Sequence, residues 1–265
     1  MADMLFSTCR PPVSLHGAVR ELWLLDDDGS LHAGLPKPFV EIVVSLSGVH
    51  WWRASLGSQE HCYSEGWVTP IQRGPRHARS VGRRRLIGAR LQPWAAVALF
   101  GALPAGNGTP PPHLSWFIGG EAVRLRSRLI CANDDADCFA KFAQWLEQQA
   151  PLGDVAKAVH GGPVIETRAL GLARKLHTSP RTLRRRFAAE AGISPKRWLM
   201  LQRIDAVLRD QALLEPCEPL AAIAHQHGYA DQAHFSREVS RLTGATPGQL
   251  RKRPRGGPPH LLPGE

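Results

Sequence analysis

The spacing of apolar positions changes character near Pro151. Before it, β-branched and aromatic residues gather in short runs: Phe39–Leu46, closing at Gly48, then Trp67–Ile71 and Leu86–Leu91 beside Gly and Arg-rich turns. Short runs punctuated by Gly and Pro predict strands. Pro104–His113 is dense in such breakers and predicts a loop. A helix is expected later in this half, capped by Asp135 or Asp137 and ending before Pro151, because Phe139, Phe142 and Leu146 then share one face. The half reads as a small β-barrel or sandwich carrying a C-terminal helix pair.

Beyond Pro151 the signals are those of short helices. Asp154–His160 forms one candidate, stopped by Gly161-Gly162-Pro163, and Thr167–Leu176 another, with Leu172 and Leu176 four residues apart. Ser179-Pro180 supplies an N-cap hydroxyl and a proline at the first helical position, and Ala191-Gly192 the matching stop. Ser194-Pro195 begins a further helix by the same device. It is expected to run to about Gln211, some 17–20 residues or about 25–30 Å at 1.5 Å per residue. Pro219–His227 and Gln232–Thr243, capped by Asp231, repeat the plan, and Thr246-Pro247 opens a last turn. Residues 256–265, at the end of the Gly and Pro-rich run from Pro254, read as a disordered tail. The expected division is therefore 1–150, 154–255 and that tail.

The second half contains a degenerate repeat. Ser179, Leu183, Arg185, Phe187, Gly192, Ser194 and Pro195 recur 52 residues later as Asp231, Phe235, Arg237, Val239, Gly244, Thr246 and Pro247. Leu172-Ala173 pairs with Ile223-Ala224 at a spacing of 51, so the intervening turn differs by one residue. Capping, core and terminating positions repeat together, which marks two copies of one helix-turn-helix unit.

Charge sharpens this picture. The net charge is +10, yet residues 1–153 hold 15 Lys/Arg against 13 Asp/Glu, whereas residues 154–255 hold 18 against 9. The basic excess sits on the repeat, as a polyanion-binding segment requires; a solvated basic surface is the other reading. Five cysteines without a C-x-x-C pair, and no N-terminal signal peptide, suit a reduced, cytoplasmic setting. The longest mostly apolar stretch, Trp94–Leu103, is far short of the roughly 20 residues that span a bilayer, so no membrane association is expected.

In the helix from Pro180, Leu183 and Phe187 point inward at i, i+4, leaving Arg181, Arg184 and Arg185 on the opposite side. Three like charges on one face call for a counter-anion. In the second copy Phe235 and Val239 point inward, while Gln232, Ala233, Ser236 and Arg237 face outward. Arg and Gln can each make paired hydrogen bonds to a major-groove base edge. Two such units joined by one helix suit successive grooves of a bent duplex, whose turn is about 34 Å. His225, His227 and His234 lack a Cys or carboxylate at ligand spacing, so no metal is expected.

These residues together resemble the AraC/XylS family of bacterial transcription regulators. The resemblance rests on Leu172-Ala173, Ser179-Pro180-x-x-Leu183-x-Arg185-x-Phe187, Gly192-Ile193-Ser194-Pro195, Ile223-Ala224, Gly228-Tyr229, Asp231-Gln232-x-x-Phe235-Ser236-Arg237 and Gly244-x-Thr246-Pro247. It covers about 100 residues. Val239 and Leu250 stand where the family usually has aromatic residues, which suggests softer packing in the second unit. The resemblance implies an α+β chain, with an N-terminal β-rich, cupin-like or barrel domain and an all-α tandem helix-turn-helix domain. It implies base contacts at Arg181, Arg184, Arg185, Gln232, Ala233, Ser236 and Arg237, Ala233 reaching only a thymine methyl. Double-stranded DNA is the expected partner, with RNA polymerase, a small-molecule effector and a second copy of the chain as candidates. No catalysis and no cofactor are expected.

The front half is less explicit. Val81–Gly101, with Gly88-Ala89-Arg90-Leu91-Gln92-Pro93 before an apolar helix, resembles a β-rich domain of some family members. Trp51, Trp52, Trp67, Trp94 and Trp116 either line a ligand pocket or fill a small β core. His50, His61 and His77 do not form a metal-ligand pattern. Arg83-Arg84-Arg85 reads as an exposed turn, and the Phe139 face as a dimer contact or internal packing. Two other functions stay open: a DNA-repair methyl acceptor on the same module, with Cys62 beside His61 and Tyr63 as its nearest cysteine, and a non-specific architectural DNA binder.

Overall fold

The computed structural model describes residues 4–28, 32–55, 57–103, 109–152, 171, 173–174 and 178–263. The helices expected over Asp154–His160 and Thr167–Leu176, and Leu172 among the core positions, lie outside the described residues.

The front half is a curled, eight-stranded antiparallel sheet. In chain order its strands are β1 Leu5–Cys9, β2 Val19–Asp27, β3 His32–Gly34, β4 Val40–Arg53, β5 His61–Tyr63, β6 Gly66–Thr69, β7 Arg76–Leu91 and β8 Leu261–Pro263. The 16-residue β7 organises it: one edge pairs with β4 from Val40↔Leu91 to Arg53↔His77, the other with β2 and then β3. A strand this long stays continuous by bending. The β4/β7 register shifts around Ser47, beside Gly48 at φ 77°, where a Cβ would come within 2.8 Å of the Arg83 carbonyl. Sequence runs that end at Gly48 and resume at Leu86 are thus parts of two long strands.

Four helices follow the sheet: α1 Pro93–Phe100, α2 Ser115–Ile118, α3 Glu121–Ile130 and α4 Asp135–Glu147. The α4 cap is Asp134, whose side chain accepts from the Asp137 amide, one residue before the expected cap. Phe139, Phe142 and Leu146 are buried in the main core, so the Phe139 face is internal packing.

The second half supplies α5 Pro180–Ala191, α6 Pro195–Arg209, α7 Leu220–Gln226, α8 Gln232–Thr243 and α9 Pro247–Leu250. Helix α6 has 15 residues, shorter than expected, because Asp210 leaves the helix and caps a 3-10 turn, accepting from the Ala212 amide. At 1.5 Å per residue that is about 22 Å. The two units bury their apolar faces in different places. Leu183, Phe187, Ile193 and Trp198 join the core beneath the sheet. Phe235, Val239, Leu242 and Leu250 form a separate core with Ile204, Ile223 and Leu35 of the front half. Val239 and Leu250, in place of aromatic residues, are both fully enclosed.

Two sequence expectations need correction. Residues 256–263 of the expected tail are folded rather than disordered: Leu261–Pro263 adds a strand to β3, and the Leu35 amide donates to the His260 carbonyl at 2.7 Å. Apolar residues alternating along this short strand find two cores, Leu261 that of the sheet and Leu262 that of the second helical unit. Arg83-Arg84-Arg85 is strand rather than turn. Arg83 is exposed, but Arg84 is 1% exposed and bidentate to Asp27 at 2.7 Å for each bond. A buried guanidinium is tolerated where a carboxylate faces it, and the pairing strand β2 supplies one.

Candidate nucleic-acid interface

The two reading helices are built by the same local chemistry. Helices α5 and α8 each contain 12 residues. Ser179 accepts from the Thr182 amide and Asp231 from the His234 amide, so in each helix the free N–H of the third residue is satisfied by a side chain. Each ends on a left-handed glycine, Gly192 at φ 61° and Gly244 at φ 73°, which closes the last turn without a Cβ penalty. The next helix then starts on Ser194 or Thr246, accepting from the Arg197 and Gln249 amides respectively. Every capping position of the 52-residue repeat has the role its residue type predicts.

The outward faces follow. On α5, Arg181, Arg184 and Arg185 are exposed, with Arg186 exposed beside them. Arg184 Nε donates to the Pro180 carbonyl at 3.2 Å, which draws its side chain along the first turn. On α8, Gln232, Ala233 and Arg237 are exposed and Ser236 is half-buried. All seven expected contact residues therefore lie off the core, three on one helix and four on the other. Helix α6 joins the two, with eight of its residues buried.

Aromatic packing fixes the inner faces. Trp198 of α6 stands edge-on to Phe187 of α5 at 5.6 Å and to Trp94 of α1 at 5.7 Å, while its Nε1 donates to the Pro38 carbonyl at 3.0 Å. In the second unit Tyr229 meets Phe235 edge-on at 5.2 Å, lies under the Arg203 guanidinium and donates to Glu238 at 3.0 Å. Burial and the Glu238 carboxylate hold the Tyr229 hydroxyl in its neutral form. His227 sits 2.8 Å from Asp210, on the turn that follows α6, and His234 lies edge-on to Tyr229.

Sequence reasoning missed the front-half contacts with this module. The segment before β7 touches the C-terminal end of both reading helices. Arg73 donates to the Gly192 carbonyl and accepts from Arg197 at 3.0 Å, and Pro75 lies 3.2 Å from where a Gly244 Cβ would stand. Helix α1 packs along α5. On the other side Arg209 of α6 is paired with Glu21 at 2.6 Å and Asp205 at 2.8 Å. No periodicity encodes such contacts; the glycine stops were their only legible trace.

Residues 172–253 match a family model described as a helix-turn-helix domain. An inferred AraC-like transcription regulator of Streptomyces antibioticus is 36% identical over 96 residues, covering 36% of this chain and 31% of that protein. The HTH-type transcriptional activator RhaR of Klebsiella pneumoniae subsp. pneumoniae is 30% identical over 183 residues, covering 58% of this chain and 63% of that protein. The chain thus spans less than two thirds of the length of either relative. Among solved structures, ToxT from Vibrio cholerae is similar at a TM-score of 0.45 and 10% identity, over 93% of this chain and 98% of that one. Residues 172–253 thus carry a helix-turn-helix sequence similar to AraC-like transcription regulators, and the structure gives it two units with matching caps.

Proposed function

We propose that this chain is a sequence-specific DNA-binding regulator of transcription, inserting α5 and α8 into successive major grooves of one duplex. The supporting observation is the pair of identically capped helices whose free faces combine Arg with Gln and Ser. Phosphate binding alone needs only positive charge, whereas these side chains suit base edges. The reading assigns Arg181, Arg184, Arg185, Gln232, Ala233, Ser236 and Arg237 to DNA, residues 1–150 to an effector-binding half and 154–255 to the reading half. It sets the protein in the cytoplasm, with RNA polymerase and a second copy of the chain as further partners.

The test begins with selection of bound sequences from a random DNA pool. Arg185→Ala and Arg237→Ala are each expected to weaken binding to the selected site by about 1–3 kcal/mol, with little change on random DNA at the same salt. Equal losses on both DNAs would favour an architectural binder. Cys62 is exposed on β5, so the methyl-acceptor reading has its own check: an unchanged protein mass after incubation with alkylated DNA removes it.

A further inference from the structure

Two loops of the front half meet the helix-turn-helix region together. One is residues 35–39, between β3 and β4; the other is residues 72–75, ahead of β7. They are fastened to each other. The Lys37 amide donates to the Gln72 carbonyl at 3.3 Å. The Gln72 side chain, 3% exposed, donates to the Gly34 carbonyl and, at 2.9 Å, to the Gly74 carbonyl. Both hydrogens of that amide are spent on backbone, so two loops distant in sequence hold one arrangement.

This joined pair reaches both units. Toward the first, Arg73 donates to the Gly192 carbonyl at the end of α5, the Arg73 carbonyl accepts from Arg197 at 3.0 Å, and the Pro38 carbonyl accepts from Trp198 at 3.0 Å. Toward the second, Leu35 is fully buried in the core that holds Phe235 and Leu242. Pro75 Cγ lies 3.2 Å from where a Gly244 Cβ would stand, at the end of α8.

The place of these contacts gives them their meaning. Each reading helix ends on a left-handed glycine, where the chain turns on one residue that has no side chain to resist rotation. Element ends of this kind are where hinges form. The units also bury their inner faces in separate cores. Helix α6 therefore sets how far apart the units lie, while the angle between α5 and α8 depends on what holds their two glycine stops. The loop at residues 72–75 holds both.

We propose that the joined loops are a brace that fixes the tilt of α5 against α8, and thereby selects the separation of the two DNA half-sites that the protein accepts, with Arg73 as its main positioning residue. Arg73 acts through Gly192 and α6 and needs no contact with DNA. The reading helices then recognise bases, and the front half recognises spacing. One base pair added between half-sites shifts the second by about 3.4 Å and turns it by about 35°. A braced pair cannot follow that change, whereas a hinged pair can. This inference rests on the two-groove reading above.

The full chain is titrated by fluorescence anisotropy with the selected site and with versions carrying one base pair more or one fewer between the half-sites. The wild-type protein is expected to bind either altered site at least about tenfold more weakly. Arg73→Ala and Arg197→Ala cut the tie from opposite sides, and each should narrow that penalty to about threefold or less. Arg73→Lys keeps a donor of similar reach and should restore most of the penalty. Arg185→Ala is the contrast, since loss of a base contact should weaken all three DNAs by the same factor. Circular dichroism checks that each variant is folded; if either alanine variant is not, Pro75→Ala, which trims one contact at Gly244, decides by the same ratio. A wild-type protein indifferent to spacing, or brace variants that weaken every spacing equally, overturns the proposal. Specific binding whose spacing penalty survives in the variants sinks this inference alone, and failure to select any site sinks the regulator and the brace with it.

Discussion

At the scale of single residues, the caps are where sequence and structure agree most closely, because a cap is a local event. Ser179 and Asp231 need only the amide three residues ahead, and the chain supplies it whatever lies around. Each is expected to be worth about 1 kcal/mol, so Ser179→Ala and Asp231→Ala should lower the urea midpoint by comparable amounts. Since α5 and α8 are buried in different cores, the double variant should show the sum to within about 0.5 kcal/mol. A much larger combined loss would mean the two units unfold as one block through α6. Arg84 shows the opposite case. A triplet of arginines reads as solvent-facing, and only the antiparallel register that places Asp27 opposite Arg84 explains its burial. Trp23 was illegible for a related reason. Its ring covers Gly88 on the neighbouring strand so closely that a Cβ there would overlap it, and an intervening 64 residues hide that fit from any local pattern.

At the scale of elements, the helices from Pro180 onward were legible to within about two residues, while the sheet was seen only as fragments. Helix ends are written in caps and stops, but the ends of β4 and β7 are set by partners. The five tryptophans weighed as a pocket separate once those partners are known. Trp52 and Trp67 line a cavity under the sheet, Trp51 lies beneath the Arg79 guanidinium, Trp94 packs on Trp198, and Trp116 is exposed. Helix α6 gives the most useful difference. At about 22 Å it is a shorter spacer than one turn of B-DNA at about 34 Å. A rigid spacer of that length favours a duplex bent toward the protein, since bending brings adjacent grooves together at a cost of a few kcal/mol. Circular-permutation gel shifts on the selected site should therefore show mobility that varies with site position. Position-independent mobility would mean that the two helices reach their grooves without bending the DNA.

At the scale of the whole molecule, the two halves are joined by buried charge as much as by apolar contact, and this has a defined consequence in acid. Lys37, Glu41, Arg90, Glu21, Arg209, Asp205 and His260 form an alternating chain from the cavity wall to α6. The strap that completes it, Pro258–Pro263, reads as a tail in the sequence because two leucines among prolines give no strand signal. His260 is held neutral by burial, with the nearby Arg90 and Arg209 adding to that effect and Asp205 opposing it; its pKa falls from 6.5 to about 4. Above pH 6.5 the folded and unfolded chains hold the same number of protons on this ring. Between 6.5 and 4 only the unfolded chain takes one up, so acid favours unfolding by up to about 1.4 kcal/mol per pH unit. Burial and Arg84 shift His50 the same way. Glu41, lowered to about 2 by Lys37 and Arg90 against the opposing cost of its burial, adds a second loss as pH falls from 4.5 toward 2. Urea midpoints should thus drop between pH 7 and 5, well before the carboxylates titrate. His260→Gln should flatten that part of the profile by the share His260 supplies, leaving the shares of His50 and of His77, which burial and Arg53 shift the same way. A midpoint that is constant from pH 7 to 5, or a slope that H260Q leaves unaltered, would show that the strap is not held by a neutral imidazole against α6.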